Sequence, residues 1–466
     1  MSTIDEAEIR RIVADVVRRL PEARPSEAPK ALVGVFKTLD DAVEAARRAH
    51  RAVVERPLEA RKEAIARIRR AIADGALELS RMSVEETGFG RVDDKVAKNL
   101  LAAYKTPGVE HLVTQAHSGD HGLSIEERAP YGVIGSITPC TNPTETLVNN
   151  GIGMLAGGNA VVFSVHPLAA RTSAACIDRM NRAVMAAGLP ENVFTCVETP
   201  SIEVAQALMV HPGVNLLVVT GGGPVVKAAM RSGRKTIGAG PGNPPVVVDA
   251  TADVTQAGTG IVRGASFDNN VICTCEKEVF VVDAVGDGVM RAMEAAGGVR
   301  LSGRDLDALV KLLFPDGKTL DRKPVGKSAS WFLERIGRPV QGDPRLIFAE
   351  VGEDHPFVQH ELLMPVLGVV RCRSVDEAID AAIRTEHGNR HTASMYSKDL
   401  DALHRMARAF DGSLFVKNAP NYAGLGFGGE GFTSWTIASP TGEGLTTCRD
   451  FTRFRRCTLA GYFRIV

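Results

Sequence analysis

Short apolar runs alternate with longer segments of helical periodicity through most of the chain. One run, Tyr131–Pro139, leads into a turn, and a second, Asn215–Thr220, ends at a group of glycines. Strands separated by helices of this length are typical of parallel sheets with helices on both faces. The pattern predicts an α/β protein with two doubly wound domains. The other predicted strands are Ala160–Val165, Pro245–Asp249, Val279–Val282, Ile347–Glu350 and Leu367–Arg371.

The regions at either end of this alternation have other patterns. The chain from Thr38 to about Gly88 reads as helices, with Pro57 suited to the first turn of the second one. A polar, glycine-containing stretch at residues 112–127 predicts a hairpin, and Phe451–Val466 has the mixed basic and apolar pattern of an edge strand. Exposed strand edges need a partner, so we expect these two segments to pair with other strands.

Residues 1–20 form a separate amphipathic unit, predicted to be one helix. Thr3 and Glu6 have capping-box spacing. A Pro- and Ala-rich spacer follows, so residues 21–32 are predicted to be a flexible linker. The charges throughout exclude a secretory signal, and a short helix without aromatic residues is a poor membrane anchor. The helix must therefore dock on a partner or on its own body. Its apolar stripe comprises Ile9, Ile12, Val13, Val16, Val17 and Leu20.

Composition narrows the possible partners. The chain has 466 residues, of which 55 are Lys or Arg and 55 are Asp or Glu. A balanced charge gives no field that would draw the protein onto nucleic acid or an anionic membrane. No stretch approaches the roughly 20 apolar residues that span a bilayer. Neither nucleic acid nor a membrane is therefore predicted as a partner.

The eight cysteines are scattered, apart from the pair Cys273 and Cys275. Their spacing resembles neither a disulfide scaffold nor a zinc site, because no second Cys/His pair lies at a matching offset. We therefore predict no metal site and a reducing, cytoplasmic setting.

Cys273 is the candidate nucleophile. It follows an Asn-rich turn and precedes the strand-like run Glu278–Val282. A thiol at such a junction can be exposed beside backbone N–H groups, and both conditions favour a reactive thiolate. A buried, inert cysteine is the alternative. The run Ser266–Lys277 also resembles the nucleophile segment of the aldehyde dehydrogenase superfamily, and most of all its coenzyme A-acylating branch, which turns short aldehydes into acyl-CoA.

This resemblance extends from about residue 33 to the end of the chain. It implies a dinucleotide-binding domain, a catalytic domain and a small β arm that pairs between the subunits of a homo-oligomer, either a dimer or a tetramer. The expected ranges are 33–110 and 129–237 for the dinucleotide-binding domain, 238–445 for the catalytic domain, and 111–128 with 446–466 for the arm.

The same resemblance suggests where NAD binds. Gly221 and Gly222 follow a strand and open a helix, whose first N–H groups can hold a pyrophosphate. Glu361 aligns with the family glutamate that binds the nicotinamide ribose, and Ser164 stands where a lysine usually contacts the adenosine ribose. Ordinary turn glycines, a surface glutamate and a loop histidine are the alternatives. NAD is preferred over NADP because no arginine stands out for a 2′-phosphate. The predicted cofactor residues are Thr138, Pro139, Ser164, His166, Gly221, Gly222 and Glu361.

The resemblance also predicts how the reaction runs. Cys273 attacks the aldehyde, its N–H and the Asn142 amide stabilise the resulting oxyanion, and hydride passes to NAD. For Asn142, formation of the turn before Pro143 is the alternative. Hydrolytic relatives then use a glutamate as the base for water, but Gly238 stands at that position. Without this base, attack of water on the thioester is slowed far more than attack of a thiol. This difference favours coenzyme A as the acceptor. His387 is a candidate to assist the incoming thiol, with a structural turn histidine as the alternative.

Several functions remain open from the sequence. The leading one is oxidation of a short aldehyde, propionaldehyde or else acetaldehyde, to acyl-CoA. The N-terminal helix is similar to the peptides that direct enzymes into bacterial microcompartments, so residues 1–20 are expected to bind a shell protein and place the enzyme in the lumen. The alternatives are a hydrolytic aldehyde dehydrogenase, a semialdehyde phosphate reductase, and an inactive scaffold that uses only its N-terminal helix.

Overall fold

A computed structural model describes residues 6–18, 31–339 and 341–465. Two parallel sheets, each flanked by helices, account for most of these residues, and a three-stranded antiparallel sheet forms a separate arm. The predicted α/β fold with doubly wound sheets and a small β arm is confirmed.

The described strands follow in chain order: β1 Val35–Phe36, β2 Gln115–Gly119, β3 Gly122–Pro130, β4 Val133–Ile137, β5 Ala160–Ser164, β6 Phe194–Val197, β7 Leu216–Thr220, β8 Thr236–Ala239, β9 Pro245–Val248, β10 Glu278–Val282, β11 Gly298–Arg300, β12 Leu346–Glu350, β13 Val366–Cys372, β14 Thr392–Tyr396, β15 Leu414–Lys417, β16 Ile437–Ala438, β17 Gly444–Leu445 and β18 Thr452–Ala460.

The described α-helices, also in chain order, are α1 Glu6–Arg18, α2 Leu39–Val54, α3 Leu58–Thr87, α4 Val92–Lys105, α5 Pro143–Ala156, α6 Ala170–Ala186, α7 Ile202–Val210, α8 Gly223–Met230, α9 Val254–Ala265, α10 Asp283–Ala295, α11 Gly303–Leu313, α12 Ala329–Arg335, α13 Pro356–Gln359, α14 Val375–Thr385 and α15 Leu400–Phe410.

Both large sheets are entirely parallel. The first has the strand order β1-β6-β5-β4-β7-β8, and the second has the order β11-β12-β13-β10-β9-β14-β15. Strands such as β5 and β10 are buried along their whole length, which explains why they appear in the sequence as continuous apolar runs. All seven predicted strands are confirmed to within two residues. The sequence pattern missed six strands of these two sheets, which are short or carry polar residues in the interior: β1, β6, β8, β11, β14 and β15.

Local sequence sets several element boundaries. Thr38 caps α2 by accepting a hydrogen bond from the backbone N–H of Asp41, as its spacing predicts. Pro57 lies just before α3, and Gly88 ends that helix in the left-handed conformation, with φ of 70°. The two helices predicted between Thr38 and Gly88 are thus confirmed.

The arm contains the predicted hairpin and the predicted C-terminal edge strand. β2 pairs with β3, and β3 pairs with β18 in a register that runs from Thr452 opposite Pro130 to Ala460 opposite Gly122. Beyond β18, Tyr462 and Phe463 are exposed. The arm therefore has two open edges and an exposed apolar end, both of which suit pairing with another subunit.

The N-terminal helix α1 lies against its own body. Ile9 is fully buried in the main core, Val13 packs beside it, and the helix contacts α4. The Arg10 guanidinium lies over the Phe427 ring, 5.2 Å from its centroid. The structure thus follows the alternative in which the helix docks on its own body. Thr3, Leu20 and residues 21–30 of the predicted linker lie outside the described residues, as do the side chains of Ile12, Val16 and Val17. Within the described ranges, no helix has the combination of length and apolar character needed to cross a membrane.

Candidate active site

The candidate active site is a cavity of about 780 Å³ between the two large sheets. The carboxyl ends of β4, β5, β7 and β8 form one side, and the loops that precede β10 and β13 form the other. Ligands of open parallel sheets bind outside the carboxyl ends of the strands, so this position is the expected one. The cavity brings together the following predicted residues: Cys273, Asn142, Thr138, Pro139, Ser164, His166, Gly221, Gly222 and Glu361.

Cys273 reaches this cavity from an otherwise buried segment. Every residue from Gly264 to Val282 is buried except Cys273. The turn before it contains consecutive left-handed residues, Asp268, Asn269 and Asn270, with φ of 49°, 53° and 65°. Strained backbone of this kind persists only when its surroundings hold it in place. The segment therefore exposes the Cys273 thiol to the cavity, whereas Cys275 is packed into the core.

Side chains of the same segment hold the turn. The Lys277 ammonium donates to the backbone oxygens of Asn270 and Ile272, at 3.1 Å each, and to the Asn270 side-chain oxygen. The Asn270 amide in turn donates to the backbone oxygens of Ala265 and Glu276. This network fixes the backbone on both sides of Cys273.

The protonation of Cys273 differs from the sequence-based expectation of a readily ionised thiol. Burial raises the pKa of Cys273 to about 12, and the nearby Glu361 carboxylate adds to the increase. Lys277 and Lys98 act in the opposite direction but do not outweigh burial. The cavity without ligands therefore favours the thiol over the thiolate.

Asn142 lies at the N-terminus of the fully buried helix α5, and its side chain does not cap that helix. Its Oδ1 instead accepts a hydrogen bond of 2.7 Å from the Lys98 ammonium, and its Nδ2 lies 3.2 Å from Thr141 Oγ1. A lysine ammonium can only donate, so the amide oxygen must face Lys98. One amide N–H donates to Thr141 Oγ1, which leaves the second N–H available to a ligand in the cavity that Asn142 lines with Cys273.

The glycine turn after β7 has the properties of a phosphate site. Gly222 immediately precedes α8, whose first turn borders the cavity. A Cβ on Gly222 would meet only Pro224, at 3.8 Å, and a Cβ on Gly223 would meet nothing within 4 Å. The Gly221 N–H donates to Ala239 O at 3.1 Å and Pro224 has no N–H, so the donors that this turn can offer a negatively charged ligand are the N–H groups of Gly222 and Gly223.

The residues predicted to contact the adenosine part lie along the ends of β4 and β5. The backbone N–H of Thr138 donates to Ser164 O at 3.1 Å, which joins the two strand ends. The His166 ring nitrogen Nδ1 accepts from the Leu168 N–H, and burial lowers the pKa of His166. Ser164, His166 and the glycine turn therefore border one continuous part of the cavity.

Glu361 is the only carboxylate-bearing residue among the described residues that line the cavity. Its Oε1 accepts a hydrogen bond of 3.3 Å from the Gly242 N–H, and burial raises its pKa. Gly238 lies in β8, where a Cβ would be 2.8 Å from Val226 Cγ1. A glutamate at position 238 would thus need its neighbours to move.

The structure does not place His387 on the cavity. Its side chain is exposed, and Nε2 lies 3.0 Å from Gln359 O. His391, which the sequence interpretation did not select, is buried beside Gly242, and burial lowers its pKa to about 4. His391 is therefore neutral, and its Nδ1 lies 2.9 Å from Thr392 Oγ1. A role for His387 stays a prediction.

Sequence reasoning also missed a group of buried charges behind the cavity. Lys95 and Lys98 on α4 pair with Asp268, which lies in the nucleophile segment, but nothing in the sequence of α4 resembles a motif. The available signal was the composition of α4, which carries Lys95, Lys98 and Asn99 among apolar residues. Within the described ranges, no group of three or more His, Cys, Asp or Glu residues could hold a metal ion.

Comparison with known proteins identifies the family. The model of the aldehyde dehydrogenase family matches residues 34–307 and 344–442. The acetylating acetaldehyde dehydrogenase EutE of Salmonella typhimurium is 47% identical over 99% of this chain and 100% of its own length. The chain belongs to the aldehyde dehydrogenase family.

Solved structures of this aldehyde dehydrogenase family agree with the fold. A propionaldehyde dehydrogenase of the Clostridium phytofermentans fucose utilisation bacterial microcompartment is 45% identical, with a TM-score of 0.91 over 93% of this chain and 100% of its own. The Rhodopseudomonas palustris propionaldehyde dehydrogenase, solved with bound CoA and an acylated cysteine, is 48% identical, with a TM-score of 0.90 over 92% and 98%. The resemblance to the acylating branch is thereby confirmed.

Proposed function

We propose that the protein oxidises a short aldehyde with NAD and transfers the acyl group to coenzyme A through a thioester on Cys273. One observation carries the proposal: Cys273 is the one residue from Gly264 to Val282 that is not buried, and it lines the same cavity as Asn142, whose amide can donate a hydrogen bond. The cavity also lacks a carboxylate at the position that hydrolytic relatives use to activate water.

The chemistry divides into two half-reactions. In the first, the Cys273 thiol releases its proton to water and its sulfur bonds to the aldehyde carbon. The carbonyl oxygen becomes an oxyanion held by the Asn142 amide and the Cys273 N–H. When bound, NAD accepts the hydride from that carbon, and the C–O double bond re-forms as a thioester. In the second, the thiolate of coenzyme A attacks the thioester carbon, the Cys273 sulfur leaves, and it regains a proton. The aldehyde has lost two electrons to NAD.

The second half-reaction favours a thiol over water. Water has a pKa near 15.7 and needs a base or a metal, whereas a thiol with a pKa of about 8.5 is already partly ionised at neutral pH. Glu361 is the one carboxylate among the described cavity residues, and its Oε1 accepts a hydrogen bond from the Gly242 N–H. Coenzyme A is therefore the better acceptor, and the hydrolytic alternative is disfavoured.

NAD would be held along this cavity. Gly221 and Gly222 at the start of α8 would hold its pyrophosphate, and Glu361 would bind the nicotinamide ribose. Thr138, Pro139, Ser164 and His166 would complete the cofactor site. In this scheme residues 33–110 and 129–237 form the dinucleotide-binding domain, and residues 238–445 form the catalytic domain.

Propionaldehyde is our preferred substrate, with acetaldehyde as the second. The related structures act on propionaldehyde and the EutE relative on acetaldehyde, and one methylene changes binding by only about 1–3 kcal/mol. Trp435, Leu425 and Ile437 give the cavity an apolar wall that suits a short alkyl chain. The ratio of kcat/KM values for the two aldehydes decides between them.

Microcompartment targeting belongs to the same proposal. Residues 1–20 bind a shell protein, which places the enzyme in the lumen of a cytoplasmic microcompartment, and the β arm joins the subunits of a dimer or tetramer. Because Ile9 is buried against the body, the helix must leave its site before it presents its apolar stripe to a shell protein. Deletion of residues 1–20 should abolish co-purification with shells, whereas Arg11→Ala, on the exposed face, should preserve it. Unchanged shell association after the deletion would refute the targeting role.

The activity is tested by product analysis. The protein is incubated with propionaldehyde and NAD, with and without coenzyme A, and the NADH and both carbon products are quantified. We expect sustained NADH formation only with coenzyme A, matched by an equal amount of propionyl-CoA. Equal rates of free propionate with and without coenzyme A would instead establish the hydrolytic function.

A further inference from the structure

A buried group of charges lies directly behind the oxyanion side of the cavity. The Lys98 ammonium is 2.5 Å from Asp268 Oδ2, 3.1 Å from Glu145 Oε1 and 2.7 Å from Asn142 Oδ1. Lys95 is 3.0 Å from the same Asp268 oxygen and 3.2 Å from Thr141 O. The side chains of Lys95, Lys98, Asp268 and Glu145 are all fully buried.

A buried group of charges stabilises a fold less effectively than apolar packing does. Removing an ammonium or a carboxylate from water costs several kcal/mol, and apolar residues of similar volume often stabilise as well or better. The helix α4, which carries both lysines, already packs against α3 and α5 through apolar residues. The charges should therefore have a role other than holding α4 in place.

That role concerns the side-chain amide of Asn142. Its amide oxygen accepts from Lys98, so the carbonyl is polarised by a full positive charge at 2.7 Å. Polarisation of an amide oxygen makes the amide N–H groups stronger donors, because hydrogen bonds in a chain reinforce one another. The same bond also fixes which end of the amide faces the cavity, since Lys98 has no acceptor to offer the amide nitrogen.

Asp268 determines where Lys98 lies. It adjoins the Cys273 turn and bridges both lysines through one oxygen, while its Oδ1 accepts from the Arg91 N–H at 2.7 Å. Burial lowers the pKa of Lys98, but the Asp268 and Glu145 carboxylates outweigh it, so the pKa is raised overall and the ammonium stays charged. The nucleophile turn and the oxyanion donor are thus tied to the same buried lysine.

We propose that Lys98 is a positioning residue for the aldehyde oxidation: held by Asp268, it orients and polarises the Asn142 amide so that this amide stabilises the oxyanion formed on Cys273. The inference deepens the proposed function and rests on it. Lys98 contacts neither substrate nor cofactor, and it acts through Asn142.

The test is a double-mutant cycle on the hydride step. Lys98→Met keeps most of the length of the side chain but removes its charge and donors, and Asn142→Ala removes the amide. Pre-steady-state NADH formation is measured at saturating aldehyde and NAD for the single variants, for the double variant and for the unaltered protein. Lys95→Met is the matched control, since it removes the neighbouring ammonium, which bonds to Asp268 and Thr141 but not to Asn142.

We expect Lys98→Met to slow NADH formation by about 10²-fold, close to the effect of losing an oxyanion donor, and to change the KM values little. In the Asn142→Ala background the same substitution should have an effect below threefold, because its target is gone. Lys95→Met should slow the step by less than tenfold. If Lys98→Met does not fold, Lys98→Gln, which keeps a donor without the charge, replaces it and should show a partial loss.

Two results would overturn the inference. One is an equal loss from the lysine substitution with and without Asn142, which would mean that Lys98 acts independently of the amide. The other is an NADH rate within threefold of the unaltered protein. Because NADH formation precedes acyl transfer, an enzyme that yields free acid refutes the proposed acceptor and leaves this test intact.

Discussion

The two sides of the cavity are built differently. On the dinucleotide side, the turn after β7 offers backbone N–H groups, and a Cβ at Gly223 would meet nothing within 4 Å. On the nucleophile side, Cys273 alone is accessible in a buried segment fixed by Lys277, Asn270 and Asp268. An anionic ligand needs open backbone, whereas a reacting sulfur needs a fixed position. Added side chains on the dinucleotide side should therefore leave the fold intact but weaken NAD binding. Substitutions on the nucleophile side should instead lower the rate of the reaction.

The largest expected effect is that of Cys273→Ala. Removing the nucleophile prevents thioester formation, so kcat should fall by at least about 10⁴-fold, as in other enzymes that lose a covalent nucleophile. Steady-state NADH formation measures it. Cys275→Ala, two residues away and buried, is the matched control and should retain most of the activity. Comparable losses in the two variants would contradict the assignment of Cys273.

Asn142→Ala should have the next largest effect. Loss of one oxyanion donor typically lowers kcat by about 10²- to 10³-fold. The KM for aldehyde should change little, because the donor acts on the developing charge and not on the alkyl chain. Steady-state kinetics with propionaldehyde checks both parameters. A raised KM at constant kcat would show that Asn142 only binds the substrate.

Gly222→Val probes the opposite side. The free protein has room for this side chain, since a Cβ would meet only Pro224 at 3.8 Å, so the melting temperature should stay within about 2 °C. The methyl groups would occupy the space of the pyrophosphate, and the dissociation constant for NAD should rise by about tenfold or more. Calorimetric titration with NAD and thermal unfolding measure the two quantities. Unchanged NAD affinity would contradict the proposal that the pyrophosphate binds at this turn.

The smallest effect concerns the ionisation of Cys273. The Glu361 carboxylate raises the pKa of this thiol, so Glu361→Gln should lower that pKa and increase the thiolate fraction at pH 8. The rate of Cys273 alkylation by iodoacetamide should then rise severalfold. In the unaltered protein, alkylation should keep accelerating up to pH 10 without a plateau, because burial raises the pKa to about 12. A plateau near pH 8 would contradict this account.

The dinucleotide side could be predicted from the sequence because its signals are local. Gly221 and Gly222 follow a strand and open a helix within a few residues, and Ser164 ends another strand. The same holds for Thr38 at the start of α2 and for the hairpin of the arm. Each of these features depends on neighbours in the chain.

The nucleophile side could be predicted only in part. Its motif located Cys273, but the partners that fix the site come from distant segments: Lys98 and Asp268 are 170 positions apart. A lysine on a helix gives no sign of being buried until the tertiary packing is known. For the same reason the sequence suggested an accessible, easily ionised thiol, whereas burial makes that thiol hard to ionise, and it selected His387, which the structure leaves outside the cavity.

The central claim is that Cys273 carries the acyl group and releases it to a thiol. The most direct measurement is mass spectrometry of the intact protein and its peptides after incubation with propionaldehyde and NAD, followed by a chase with either coenzyme A or buffer. We expect one propionyl group on the peptide that contains Cys273, with rapid discharge to propionyl-CoA and slow discharge in buffer. A propionyl group on another residue, or equally fast discharge in buffer, would contradict it.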